Sequence, residues 1–130
     1  MTLTDIRSYF EGVLETLNLE NLNLEGTRFE PKGNQNFTRV KVYPSETVNV
    51  SLGGGKKRLK GFTQIDVFVN RISGLALAST TAEAIVAAFP TQSTSLSTNQ
   101  IVVYSSWIES TREEPTYLHI PVFIRWEAYS

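Results

Sequence analysis

Phe62-Thr63-Gln64-Ile65-Asp66-Val67-Phe68-Val69 is the stretch on which the fold turns. Thr63, Ile65, Val67 and Val69 share one side of an extended chain, and Phe62, Gln64, Asp66 and Phe68 share the other, which is the period of a strand lying on a core. Upstream, Val40 and Val42 alternate with Arg39, Lys41 and Tyr43 until Pro44 interrupts the pattern, and Val48, Val50 and Leu52 resume it. Between these patterns lies Gly53-Gly54-Gly55-Lys56-Lys57-Arg58, a glycine-rich loop joining strands, so the spacing predicts a long protruding β-hairpin with a basic tip. Four of the twelve Lys and Arg residues, Lys56, Lys57, Arg58 and Lys60, fall there.

Outward from the hairpin the period changes. Leu75, Ala78, Ala82, Ile85, Val86 and Phe89 recur at helical spacing, and Pro90 cannot continue that helix. Its many alanines make it slim enough to lie close on a sheet. Near the start, Thr4 reads as a cap, followed by Ile6, Phe10, Val13, Leu14 and Leu17, which predicts a helix over residues 5–17. On its polar side Arg7/Glu11 and Glu11/Glu15 are pairs of opposite sign in their effect, with little net contribution. Leu17 to Gln35 reads as an extended link. Residues 91–99 read as a polar link, and residues 101–108 as a strand around Trp107.

The last segment sets Leu118, Ile120, Val122, Ile124 and Trp126 on one side, the cleanest alternation in the chain. Pro121 lacks a backbone donor, which predicts an edge strand or a bulge there. His119, Pro121, Phe123 and Arg125 then form the outward side of an edge open to a neighbouring subunit. The order helix, strands, helix, strands predicts an α+β fold, two helices covering one face of a mainly antiparallel sheet.

Composition narrows the classes of function. At 130 residues the chain fits one domain with one core, residues 1–130, and its 41% hydrophobic and 19% charged residues suit a folded protein. Twelve basic against thirteen acidic residues leave no global field for nucleic acid or anionic lipid, so a charge-driven contact must be local. The absence of cysteine excludes disulfides and thiol chemistry. No basic region followed by an apolar run opens the sequence, and no apolar run approaches the roughly 20 residues of a membrane helix, so synthesis in the cytosol and no membrane partner are expected.

The search for reaction chemistry yields no constellation. Gly53-Gly54-Gly55-Lys56 departs from the phosphate loop, which needs a glycine four residues before a Gly-Lys pair and Ser or Thr after the lysine, where Lys57 stands. His119 is the single histidine, on the outward side of its strand without a marked nucleophile, and reads as a surface residue. Asp66 reads as an ion-pair partner for Arg39 or Arg58, or as a solvent-facing acid. Glu109, Glu113 and Glu114 around Arg112 read as a solvated loop. No metal, cofactor or catalytic residue is expected, and the basic hairpin tip is either a solvated turn or a contact for acidic groups.

In order and spacing, Phe37-Thr38-Arg39-Val40, Pro44, Leu52-Gly53, Arg58-Leu59-Lys60-Gly61-Phe62-Thr63-Gln64-Ile65-Asp66-Val67, the helix ending Phe89-Pro90 and Ile120-Pro121-Val122-Phe123-Ile124-Arg125-Trp126 resemble the tail terminator proteins of long-tailed bacteriophages and prophages, the lambda type. The resemblance covers about two thirds of the chain, from Phe37 to the end. It implies a non-enzymatic virion protein whose copies form a hexameric ring at the head-proximal end of the tail, assembled in the host cytoplasm. Its implied partners are further copies of itself, the tail tube protein and the head–tail connector protein, with DNA passing through the lumen without specific binding. Contacts would fall to the hairpin, Gly53, Gly54, Gly55, Lys56, Lys57, Arg58 and Lys60, and to His119, Pro121, Phe123 and Arg125 of the last strand. Another ring-forming part, a tube subunit or connector, is the alternative within the tail; a small ligand-binding or enzymatic α+β domain is the alternative outside it.

Overall fold

The computed structural model describes residues 2–26, 35–49, 57–96 and 99–129. Along the chain run α1 (Leu3–Glu15), β1 (Leu22–Asn23), β2 (Phe37–Asn49), β3 (Lys57–Asn70), α2 (Gly74–Ala88), β4 (Gln92–Leu96), β5 (Asn99–Ile108), β6 (Arg112–Glu113) and β7 (Tyr117–Tyr129). Among the described residues the strands form one sheet in the order β1-β2-β3-β7-β5-β4, with β6 also on β7. All pairings are antiparallel except β1 with β2. The fold is α+β, and both helices pack on the same side of the sheet.

Each helix begins where local chemistry dictates. Thr2 caps α1: its hydroxyl accepts from the Asp5 amide at 3.2 Å, and the Asp5 carboxylate accepts from the Thr2 amide at 2.8 Å. This reciprocal box satisfies two free donors at once, so the cap lies two residues before the one expected at Thr4. Arg7 leaves its helical neighbour Glu11 and pairs with Glu25 at 3.2 Å instead. In α2 the sheet-facing residues are Ala78, Ala82, Ile85 and the capping Phe89, all fully buried, whereas Leu75, expected among them, is 52% exposed. The two alanines bring the α2 backbone close to β3 and β7.

The core joins the two layers through rings. Phe10 of α1 lies 5.2 Å from Phe89 and 6.3 Å from Trp126 of β7, centroid to centroid. The Trp126 indole donates to the Thr63 hydroxyl at 3.0 Å, which gives this fully buried N–H its partner. The sheet contributes the side anticipated from alternation: Thr63, Ile65, Val67 and Val69 from β3, and Leu118, Ile120, Val122, Ile124 and Trp126 from β7, all buried.

Pro44 and Pro121 sit in strands without breaking the ladders. The two short strands expected around Pro44 are one, β2, whose register slips between Pro44 and Glu46. Val42, two residues earlier and therefore facing the same way, turns its amide outward to the Glu25 carboxylate at 3.0 Å, so the donor that Pro44 lacks falls on the outer edge of the sheet. Pro121 requires a larger correction. β7 is central, between β3 and β5, and is no edge strand. The Pro121 carbonyl accepts from Glu109 at 3.0 Å, just past the end of β5, and a strand residue points its N–H and C=O to the same neighbour. Its missing donor therefore faces the gap between β5 and β6, and the β3 ladder is untouched.

Three further expectations change. The link from Leu17 to Gln35 contributes β1, reached through left-handed turns at Asn18 and Asn21. Residues 92–96 form β4 by pairing with β5, although they are mostly polar. The hairpin of β2 and β3 is accompanied by β7 as far as Arg58, so its described part belongs to the sheet.

Candidate interaction surface

With both helices on one side, the other side of the sheet carries the outward residues of β2, β3, β5 and β7. Three bands of side chains cross it, each assembled by cross-strand register.

The first band lies toward the α2 end. Phe37, Phe68 and His119 stand side by side on β2, β3 and β7 and stack at 4.5 and 4.2 Å, with Tyr117 edge-on to Phe37. His119, expected at the surface, is only 6% exposed because Phe68 covers its ring. Its Nε2 lies 2.7 Å from Asp66, and its Nδ1 3.8 Å from Glu114. Asp66 also accepts from Gln64 at 3.0 Å, while Arg39 lies over the Phe68 ring. Burial alone would raise the Asp66 carboxyl. Hydrogen bonds from His119 and Gln64, with the charges of His119 and Arg39, outweigh it and hold the carboxyl below the usual aspartate range. A depressed carboxyl stabilises the fold above its unfolded pKa, about 4, and that contribution is lost as pH falls through the lower folded value. Denaturant unfolding at pH 6 should therefore show Asp66→Asn less stable than the parent protein, with the gap narrowing as the pH is taken below 4; an equal gap at every pH would contradict this assignment.

The second band is aromatic and more open. Tyr43 stacks on Phe62 at 4.9 Å, Phe62 leans on Phe123 at 5.9 Å, and Phe123 stacks on Trp107 at 5.5 Å. Trp107 reaches this side because the β5 register slips between Val103 and Ser105, which turns Ser105 and Trp107 outward. It is 42% exposed. Together with Lys60 and Arg125, Phe62, Phe123 and Trp107 line a groove of about 390 Å³.

The third band lies toward the hairpin tip. Glu127 accepts from Tyr129 at 2.6 Å and Tyr104 at 2.7 Å, with Lys60 at 3.7 Å and Arg58 at 4.0 Å. Burial pushes this carboxyl up; the two phenols and two cations more than offset it and leave it below the usual glutamate range. The Tyr104 and Tyr129 hydroxyls also lie 3.2 Å apart, and this bond first, then the one to Glu127, raises the Tyr104 phenol.

Gly53, Gly54, Gly55 and Lys56 lie outside the described residues, and Lys57 is described only as the first residue of β3. Arg58 and Lys60 stand on the outer face, tied to Glu127 rather than grouped as a bare basic tip. His119, Pro121, Phe123 and Arg125 share that face on central β7, so any contact they make is through the face and not through an edge. Sequence reading missed Tyr43, Phe62, Trp107, Tyr104 and Glu127. Alternation on β3 and β7 already placed Phe62 and Glu127 outward, whereas the bulge that turns Trp107 has no glycine or proline to announce it. Among the described residues no three His, Cys, Asp or Glu side chains group as metal ligands, and no helix is long and apolar enough to cross a membrane.

Comparison with curated proteins returns no relative. A solved structure is similar with a TM-score of 0.80 over 98% of this chain and 96% of the other, at 18% identity, a likeness of fold. The family model described as phage tail terminator protein matches residues 5–126, from the first turn of α1 to Trp126 near the end of β7. That span takes in α2, nearly all of α1 and the first two bands of the outer face, stopping one residue short of Glu127, and the chain belongs to the phage tail terminator family, structural proteins of the phage tail.

Proposed function

We propose that this chain acts as one domain whose copies close into a hexameric ring at the head-proximal end of the tail tube, where the ring stops tube polymerisation and offers a surface to the head–tail connector. The family match over residues 5–126 is the observation that carries this reading. The work is steric. One side of the ring matches the growing end of the tube, and the other accepts no further tube ring. Six modest contacts add through effective concentration, so no single contact must be strong. DNA passes through the lumen, and the near-neutral chain, with a net charge of -1, suits a passage that does not hold it. Assembly takes place in the host cytoplasm, and the finished location is the virion tail.

The basic hairpin, Gly53 to Lys60, is proposed as the contact with the tube or the adjacent subunit, and the outward residues of β7 as part of the subunit contact. Purified tail tubes incubated with the protein and viewed by electron microscopy should carry a ring at one end and cease to elongate. Tubes that keep growing at saturating protein would overturn the reading. With Lys56, Lys57, Arg58 and Lys60 reversed to glutamate, capping should fall at least tenfold in apparent affinity; unchanged capping would remove the hairpin from the contact while leaving the ring in place.

A further inference from the structure

The solvent side of α1 holds a residue that the subunit itself does not explain. Gly12 is exposed in the middle of the helix, where glycine is a poor choice, and a Cβ built there meets nothing within 4 Å. Packing inside the chain does not ask for a glycine. A bare stretch of backbone serves where another surface approaches closely. Ser8 and Thr4, one and two turns earlier on the same side, are also small and exposed, so the stripe is flat.

Charge supplies the second, independent observation. Among the described residues, Asp5, Glu11, Glu15, Glu20, Glu25 and Glu83 stand around α1 and its partner helix, against Arg7 and, just before α2, Arg71. Glu11 feels this crowding: burial raises its carboxyl first, Glu15 and Glu25 raise it further, and Arg7 opposes them only in part. Among the described side chains the outer face of the sheet has the opposite balance, with Arg39, Lys41, Arg58, Lys60 and Arg125 against Asp66, Glu114 and Glu127. Arg125 is exposed at the rim of the aromatic groove and forms no ion pair with another described residue. A molecule of net charge -1 is thus divided into an acidic helical side and a basic, aromatic sheet side.

We infer that the Ser8–Gly12 stripe of α1, flanked by Glu11 and Glu15, seats in the Trp107–Arg125 groove on the outer sheet face of a second copy of this chain. This deepens the ring reading and rests on it. The two surfaces differ, so the contact is heterologous: each copy gives its helix to one neighbour and its groove to the other, and a suitable rotation closes the chain of contacts into a ring. Trp107 supplies the apolar anchor, Gly12 the close approach, and the carboxylates meet Arg125 and Lys60, which fixes the direction of assembly.

Two charge-reversed variants test it by native mass spectrometry, with circular dichroism to show that each is folded. One carries Arg125→Glu and Lys60→Glu, the other Glu11→Lys and Glu15→Lys. Each alone sets like charges across the contact and should be monomeric where the parent protein is a ring. Mixed in equal amounts they restore opposite charges at every contact and should form rings of strictly alternating composition. A third variant, Gly12→Ala, should melt at a higher temperature as a monomer yet need at least tenfold more protein to assemble, a combination that a purely internal role for Gly12 would not give. Rings that persist in either variant alone, or a folded mixture that stays monomeric, would overturn this contact and leave the ring reading standing. A parent protein that forms no ring either free or on tubes would end both.

Discussion

Replacing Trp126 by alanine is expected to lower the unfolding free energy by about 3–5 kcal/mol, the range for deleting a large buried aromatic. The reason lies in what the indole joins. It is fully buried, meets Phe10 of α1, covers the glycine of β3 opposite it, and donates to Thr63 across the β3–β7 ladder. Truncation removes its apolar contacts, opens a cavity between the sheet and both helices, and leaves the Thr63 hydroxyl without its donor in a dry site. Equilibrium denaturant unfolding, monitored by far-ultraviolet circular dichroism, measures the loss directly. Trp126→Phe keeps most of the volume and should cost roughly half as much, mainly through the broken hydrogen bond and the smaller ring. If Trp126→Ala cost less than about 1 kcal/mol, the core would not be organised around this residue.

The inward side of the sheet was legible because side-chain direction in a strand has a strict period of two. Thr63, Ile65, Val67 and Val69, with Leu118, Ile120, Val122, Ile124 and Trp126, alternate in the sequence and are all buried in the structure, although Phe68, His119 and Pro121 between them are buried as well. The helices were legible from their apolar spacing, although only the Thr2–Asp5 pair, and not Thr4, sets the start of α1. What escaped reading depends on partners that no local pattern encodes. Pro121 called for an edge or a bulge, yet the position of a missing donor matters only on the side to which it points, and there β5 has just ended. β4 is polar and takes its identity from pairing with β5.

The candidate surface divides in the same way. Alternation correctly turned His119, Phe123 and Arg125 outward, but outward is not the same as exposed. His119 is closed over by Phe68 and bonded to Asp66, so the isolated surface histidine of the sequence becomes half of a buried polar pair. Arg58 and Lys60 likewise read as part of a basic tip, with Asp66 as a candidate partner for Arg58, and in the structure β7 brings Glu127 beside both. Long-range register creates these pairs, and register is a property of the assembled sheet.

Gly61→Ala should be the most damaging conservative substitution in the sheet, costing about 3 kcal/mol, at the upper end for overpacking. Gly61 lies between Pro44 on β2 and Trp126 on β7. A Cβ built on it would stand 2.4 Å from the Tyr43 carbonyl oxygen and 2.7 Å from the Trp126 ring, distances at which something must move. The ring is a side chain and could tilt, but the carbonyl belongs to the neighbouring strand. Relief therefore requires β2 to part from β3 at the Pro44–Glu46 bulge, where the ladder is already irregular. A double-mutant cycle separates the two clashes. In the Trp126→Phe background the ring contact is eased and the carbonyl contact remains, so Gly61→Ala should still cost about 2 kcal/mol there. Full rescue by Trp126→Phe would show that the strand backbones can yield, and that the glycine serves the indole alone. Because Lys60 and Phe62 flank Gly61 and line the outer groove, the same displacement should also weaken any assembly through that face. A variant that lost stability yet assembled with undiminished affinity would locate the subunit contact elsewhere.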